Sequence, residues 1–342
     1  MTVPHFRPNP VLLDEVVGYL AARRLDPSED TIVTALADGV SARVYLVENS
    51  RVRWVVKQAL PELLVDSEWT ANPRRAQTEA AALQVFHDIT PNNIPVVVDV
   101  DEAACIVTMT AAPAGWENWR RMLLSADVDV DSLIQTAQHL GVLLGSWHSE
   151  TWGRPDLGLR FSDDETFEQL RLTPFHRNVR SQYPSLREAI DTCLEELLTR
   201  HECLVHGDFS PKNVLVGRDG VWVLDLEVAR VGAAIFDLAF LGHHLALKAI
   251  VHPTLAIKFR RAFDTFLNSY MDRVHPRPDL TNLGWQTATL LLSRVDGVSR
   301  ANYLSDPQAS IARVVAVDGL ASQTSSVELW DSILRAVKRI PT

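Results

Sequence analysis

His206-Gly207-Asp208-Phe209-Ser210-Pro211-Lys212-Asn213, then Val214-Leu215-Val216, a polar turn, and Val221-Trp222-Val223-Leu224-Asp225-Leu226-Glu227, is the stretch whose reading decides the fold. It follows a short apolar run, Leu204-Val205. Two more apolar runs, Val214–Val216 and Val221–Leu224, flank a turn from Gly217 to Gly220. The pattern reads as strand, loop and hairpin. Such a hairpin folds back and brings Asn213 and Asp225 to one place. Glu227, two residues past Asp225, shares its face where the backbone is extended.

Upstream of this stretch the strand signals concentrate in the first third. Thr31–Ala37, Arg43–Glu48 and Val52–Leu60 are rich in Val, Ile, Tyr and Trp, with turn signals at Asp38-Gly39 and Asn49-Ser50, and predict a three-strand antiparallel meander. Val11–Arg24 and Pro73–His87 carry apolar residues at helical spacing, and Ile94–Val100 and Ala104–Thr110 read as two further strands. Ala111–Gly115 reads as a connector. Beyond it the pattern turns helical over Trp119–Leu124, Ser132–His148, Asp164–Leu172 and Ser185–Arg200, and again over Ile235–Ile250, Leu255–Tyr270, Leu283–Leu292 and Val327–Val337. The expectation is an α+β chain with a strand-rich domain over residues 1–112 and a helix-rich one over 113–342, and ligands favour the clefts between such domains.

Phosphoryl transfer from a nucleotide needs a lysine for the phosphates, oxygen ligands for magnesium, and a carboxylate that orients the acceptor hydroxyl and takes its proton. Asp208 suits the last role, and Asn213, Asp225 and Glu227 offer oxygens to Mg2+. A Gly-Asp pair alone is a common turn. The full pattern HGDFSPKNVLV, a turn and VWVLDLE is far more specific.

These residues, with the downstream Phe236-Asp237-Leu238-Ala239, closely resemble the aminoglycoside phosphotransferase-like superfamily, relatives of the protein kinases. The resemblance implies a bilobal protein-kinase-like fold, with a small antiparallel sheet and one key helix in the first lobe and a larger, mainly helical second lobe. It implies Asp208 as catalytic base, Asn213 and Asp225 as magnesium ligands, and His206 and Asp237 as supports of the loop. Ala37–Val44 resembles the nucleotide loop, where Gly39 and Ser41 let backbone approach phosphate, although such a segment also fits an ordinary hairpin turn. Lys57 matches the phosphate lysine, and Glu79 on the following helix is its natural ionic partner. Thr108, Met109 and Thr110 begin the expected hinge for the nucleobase, ATP or GTP. The segment Asp225-Leu226-Glu227, together with Lys57-Gln58-Ala59-Leu60-Pro61, Trp69 and the Arg74/Arg75 to Glu79 spacing, resembles methylthioribose kinase.

The acceptor is expected in the helical part. Trp116 and Trp147 offer aromatic surface for a sugar or base, Arg171 and Phe175 lie in a mixed aromatic and basic segment, and Arg294 and Asp296 form a polar pair; ordinary packing is the competing reading for the tryptophans and an ion pair for the last two. A net charge of -10 and a pI near 5.6 give no support to a nucleic-acid or anionic-membrane partner. Three cysteines without CxxC spacing indicate neither a disulfide framework nor a zinc site, and no apolar run approaches the roughly 20 residues of a membrane span, so a reducing cytoplasm is expected. The function expected is an O-phosphotransferase acting on a small-molecule hydroxyl, an aminoglycoside or nucleoside antibiotic first and a metabolic sugar of the methylthioribose type second. A noncatalytic ligand-binding role is disfavoured because Lys57, Asp208, Asn213 and Asp225 are all present.

Overall fold

The computed structural model describes residues 9–25, 27–36, 42–62 and 70–339. The chain forms two compact units. One takes the residues up to Gly115 together with Trp222–Val228, and the other takes Trp116–Val221 and the residues from Ala229 onward. Against an expected boundary at residue 112, the first unit runs to Gly115 and is rejoined by Trp222–Val228. That return puts Asp225 and Glu227 in the same unit as Lys57.

The first unit is built on a five-stranded antiparallel sheet: β1 (Ile32–Ala35), β2 (Ala42–Glu48), β3 (Arg53–Ala59), β4 (Val97–Asp101) and β5 (Ile106–Thr110), in the order β1-β2-β3-β5-β4. The expected meander is β1, β2 and β3, with Val44 opposite Lys57 and Lys57 opposite Val107. Tyr45, Val47, Val56 and Ile106 close one face of the sheet with Val16 and Leu20 of α1 (Val16–Ala22). Side chains alternate along a strand, so burying Val56 against α1 turns Lys57 to the opposite face. On α2 (Arg75–Ile89), which packs against β3, β4 and β5, Ala76, Glu79, Ala80, Leu83 and Phe86 are buried. The nucleotide-loop residues Gly39 and Ser41, and Trp69, lie outside the described residues.

The second unit is mainly helical. Its short strands are β6 (Glu117–Asn118), β7 (Cys203–Val205), β8 (Val214–Gly217), β9 (Gly220–Val223), where the chain crosses to the first unit, and β10 (Arg230–Gly232). After β6 come α3 (Trp119–Leu124) and α4 (Val130–Thr151), and α4 packs closely along the helix Ala256–Arg273. Two glycines one turn apart allow this approach. A Cβ on Gly141 would sit 2.3 Å from the Phe266 carbonyl oxygen, and one on Gly145 would sit 2.9 Å from that of Tyr270. The helix Ile235–Val251 is buried almost throughout.

Three of the elements that differ from expectation have a clear physical reason. Asp164–Leu172 is α-helical only over Glu165–Phe167 and then widens into a π-helical stretch, Glu168–Arg177, which contains Pro174 and so lacks one backbone donor. β10 pairs antiparallel with β7, Arg230 opposite Val205, but Arg-Val-Gly carries no apolar run to signal it. The helix Asp306–Ala321 went unread because its buried face is made mostly of small residues, Ala312, Val315, Ala316 and Gly319 with Leu320. Among the described residues no helix is long and apolar enough to cross a membrane.

Candidate active site

In the first unit, the Lys57 ammonium lies 2.8 Å from Glu79, 2.5 Å from Asp225 Oδ1 and 3.8 Å from Glu227 Oε2. Burial works against a charged lysine, but the carboxylates of Asp225, Glu79 and Glu227 more than offset it, and the Lys57 pKa is raised above the ordinary lysine value. Burial likewise pushes the Glu79 carboxyl up, with Lys57 opposing. Asp225 has φ +69°, a left-handed conformation that Asp tolerates better than most side chains and that marks a constrained position.

Glu79, Asp225 and Glu227 can each bring one oxygen within 4.8 Å of the other two, the one such group of three among the described residues. Hard carboxylate oxygens suit a hard divalent cation such as Mg2+. Against them stand Lys57 and a second buried cation, Arg75, whose Nε lies 3.0 Å from Glu227 Oε2. With all three carboxylates ionised the group carries one surplus negative charge, which a cation would neutralise. The third expected ligand, Asn213, lies in the second unit.

In the second unit, Asp237 is fully buried and pins the His206–Asn213 loop: its Oδ2 accepts from the His206 backbone N–H at 2.7 Å and its Oδ1 from that of Gly207 at 2.9 Å. His148 Nε2 stands 3.3 Å from Asp237, and Tyr270 hydroxyl stands 3.0 Å from His148 Nδ1. Gly207 takes φ +75°, where a side chain would be strained. His206 Nδ1 accepts from the Asp208 N–H at 3.1 Å, and Asn213 Nδ2 donates to the Asp208 carbonyl at 3.0 Å, which leaves the Asn213 Oδ1 as an oxygen donor. The Asp208 carboxylate is held by Arg171 at 2.9 Å and by Lys212 at 2.8 Å. Arg171 also donates to the carbonyls of Gly207 and Leu170.

The remaining sequence candidates are dispersed. Trp147 and Phe175 are buried packing residues, against Phe209 and Phe240 respectively. Trp116 lies over Gly217, where a Cβ would meet its ring. Arg294 and Asp296 do not pair: two residues apart on a helix they diverge, and Arg294 donates to Ser299 while Asp296 binds Arg313 and Tyr183. Thr108 and Met109 are buried in β5, and the N–H groups of Thr110 and Ala111 donate to Val96 and Arg53 within the sheet. The contacts of Arg75 with Glu227, Lys212 with Asp208, and His148 with Tyr270 and Asp237 were not read from the sequence. Lys212 stands four residues after Asp208 across a loop and a 3-10 turn, where spacing does not announce a pair.

A lysine bracketed by carboxylates, and an aspartate on a loop pinned by a second buried aspartate, are the parts of a phosphotransferase. Residues 32–276, more than half of the chain, match the family described as phosphotransferase enzyme family. The chain belongs to that family. This phosphotransferase is a small-molecule kinase. It is similar to a methylthioribose kinase of Bacillus cereus strain AH820, 25% identical over 274 residues that cover 70% of this chain and 67% of the relative. Its fold is that of the protein-kinase-like enzymes. A choline/ethanolamine kinase family protein from Mesorhizobium loti matches with a TM-score of 0.54 at 14% identity, covering 95% of this chain and 98% of that one. Amicoumacin kinase hAmiN, solved with AMP-PNP, Ca2+ and Ami, also matches at 0.54 and 14% identity, covering 92% and 97%.

Proposed function

We propose that this phosphotransferase moves the γ-phosphate of a nucleoside triphosphate, ATP or GTP, with Mg2+, to a hydroxyl of a small sugar-like molecule. The observation that carries the reading is Lys57 held between Glu79 and Asp225. A buried ammonium restrained by two carboxylates keeps its charge and position, as a lysine that receives phosphate oxygens must. Asp225 and Glu227, with Asn213, are the proposed oxygen ligands of Mg2+, which when bound supplies charge neutralisation at the phosphates. Asp208 takes the proton of the acceptor hydroxyl. The loop that carries it is fixed through Asp237, so its carboxylate needs little reorganisation on substrate arrival. Gly39, Ser41, Thr108, Met109 and Thr110 stay as proposed nucleotide contacts.

A metabolic sugar is favoured over an aminoglycoside as acceptor. Arg171 and Lys212 flank Asp208, and cations there repel a polycationic antibiotic. The similarity to methylthioribose kinases points the same way.

The test is incubation with ATP or GTP, magnesium and a panel of sugars and antibiotics, reading the gain of one phosphate by mass. Asp208→Asn is expected to lower transfer by about a hundredfold to ten-thousandfold with nucleotide binding retained. Asp225→Asn is expected to lose magnesium-dependent nucleotide binding as well. Absence of any product together with absence of a nucleotide-dependent thermal shift would sink the reading.

A further inference from the structure

Around Asp208 the second unit gathers cations from five separate elements. Arg171 comes from the π-helical stretch, Lys212 from the catalytic loop, Arg120 from α3, Lys248 from the helix Ile235–Val251 and Arg294 from the helix Leu283–Asp296. Asp208 is the one carboxylate that pairs with any of them among the described residues, through Arg171 and Lys212. Arg120, Lys248 and Arg294 lie in no ion pair there.

Among the described residues, Lys248 is taken out of water without an ion-pair partner, and Arg294 is half-buried without one. Lys248 is 1% exposed, and its ammonium meets the Tyr303 hydroxyl at 2.7 Å and lies 3.9 Å from the centre of that ring. Arg120 approaches the same ring at 5.8 Å. Arg294 donates to Ser299, while its Nε is out of contact with solvent and has no hydrogen-bond partner. The charges act on one another: burial first, and then Arg120 and Arg294, depress the Lys248 pKa. Arg294 in turn lies within reach of the charges of Asp208, Arg120 and Arg171. His243 and His244, beside them, are held neutral by burial.

Burying cations without an anion costs folding free energy, and a chain that bears the cost at one place has a use for it there. We propose that this cluster is the acceptor subsite and that the acceptor carries an anionic group, a carboxylate or a phosphate, seated against Lys248, Arg294 and Arg171 with its hydroxyl toward Asp208. The inference rests on the kinase reading above. In the step it serves, Asp208 accepts the hydroxyl proton and the acceptor oxygen forms a bond to the γ-phosphorus. The bond from that phosphorus to the β,γ-bridging oxygen breaks, and a nucleoside diphosphate leaves.

The test uses the full chain saturated with magnesium and a non-hydrolysable ATP analogue. Binding of gluconate, glucose and glucosamine, of ribose 5-phosphate and ribose, and of inorganic sulfate against chloride at equal ionic strength is measured by calorimetry. The anionic member of each set is expected to bind at least about tenfold more tightly, with an advantage that shrinks as salt rises. Arg294→Gln and Lys248→Met are each expected to remove most of that advantage while nucleotide affinity stays unchanged. Lys248→Met should also raise the melting temperature of the anion-free protein, because it replaces an unpaired buried charge with an apolar chain; a lysine kept only for packing would give a lower one. Equal binding within each set, a preference for glucosamine, or variants that weaken the nucleotide instead would each overturn the proposal. Failure of the wild type to bind nucleotide would overturn the kinase reading, whereas the gluconate and sulfate comparisons, repeated without nucleotide, judge the anion subsite alone.

Discussion

Arg75 at the start of α2 and Glu227 at the end of the Asp225-Leu226-Glu227 segment, 152 residues apart in sequence, form a buried ion pair with Nε 3.0 Å from Oε2. The same guanidinium donates to the carbonyls of Leu60, Ala71 and Asn72. One side chain thus ties the end of β3, the entry to α2 and the carboxylate triad together. Arg75→Ala leaves buried Glu227 with only the longer contact to Lys57, at 3.8 Å, and is expected to cost up to about 3–5 kcal/mol. Arg75→Lys keeps the charge but loses the planar fork, so it should recover only part of this. Chemical denaturation measures the loss, and titration of magnesium with nucleotide should show weakened binding in both variants. A variant as stable as the wild type would show that Glu227 finds another partner.

Asp237 accepts from two consecutive backbone N–H groups and meets His148 with no exposure to solvent. Asp237→Asn retains one acceptor oxygen for two donors, and Asp237→Ala retains none. Each buried donor left unmet costs about 1–3 kcal/mol, so the alanine variant, which leaves two, should lose about 2–6 kcal/mol and the asparagine variant less. Both should lower turnover more than nucleotide affinity, since the backbone that carries Asp208 is what they loosen. Equal kcat in wild type and Asp237→Ala would remove Asp237 from its positioning role.

The strand, loop and hairpin that carry the proposed site were legible because they are contiguous: Asp208, Asn213, Asp225 and Glu227 fall within twenty residues, and a hairpin reading gives their order. The Lys57 to Glu79 contact was also legible, since strand alternation turns Lys57 away from the Val56 face and toward the following helix. What stayed hidden is long-range. Nothing in the spacing of Arg75 and Glu227, or of His148, Tyr270 and Asp237, announces that they meet. Lys248 sits in the run Leu245-Ala246-Leu247-Lys248-Ala249-Ile250 and looks like the polar edge of an amphipathic helix. It is buried because that helix is covered on nearly every side. Arg294 and Asp296 were misread as a pair because proximity in sequence was taken for proximity on the helix surface.

The closeness of α4 to the helix Ala256–Arg273 depends on Gly141, and these two helices supply His148 and Tyr270, the residues behind Asp237. Gly141→Ala places a Cβ 2.3 Å from a backbone oxygen that cannot rotate away, and overpacking of this kind costs about 1–3 kcal/mol. Gly158→Ala is the control. A Cβ there meets nothing within 4 Å, and the change should be neutral or stabilising by up to about 1 kcal/mol. Thermal denaturation of the two variants side by side tests the contrast. Equal melting temperatures would mean that the helices separate at little cost.

His176 sets a pH limit on stability. Burial holds its imidazole down at about 4 against an ordinary 6.5, with the Gln286 hydrogen bond only partly opposing. Between those values the unfolded chain binds a proton that the folded chain refuses. The neutral-histidine contribution is therefore complete above pH 6.5 and is lost as pH falls toward 4, at about 3 kcal/mol for the full span. His243 and His244, also depressed by burial, act with the same sign. Urea unfolding at pH 7, 6 and 5 should show a falling midpoint. His176→Gln, which cannot take up a proton, should be less stable at pH 7 yet lose less on acidification. Parallel acid profiles for wild type and variant would assign the acid sensitivity to other groups, since His176 would then carry none of the proton uptake.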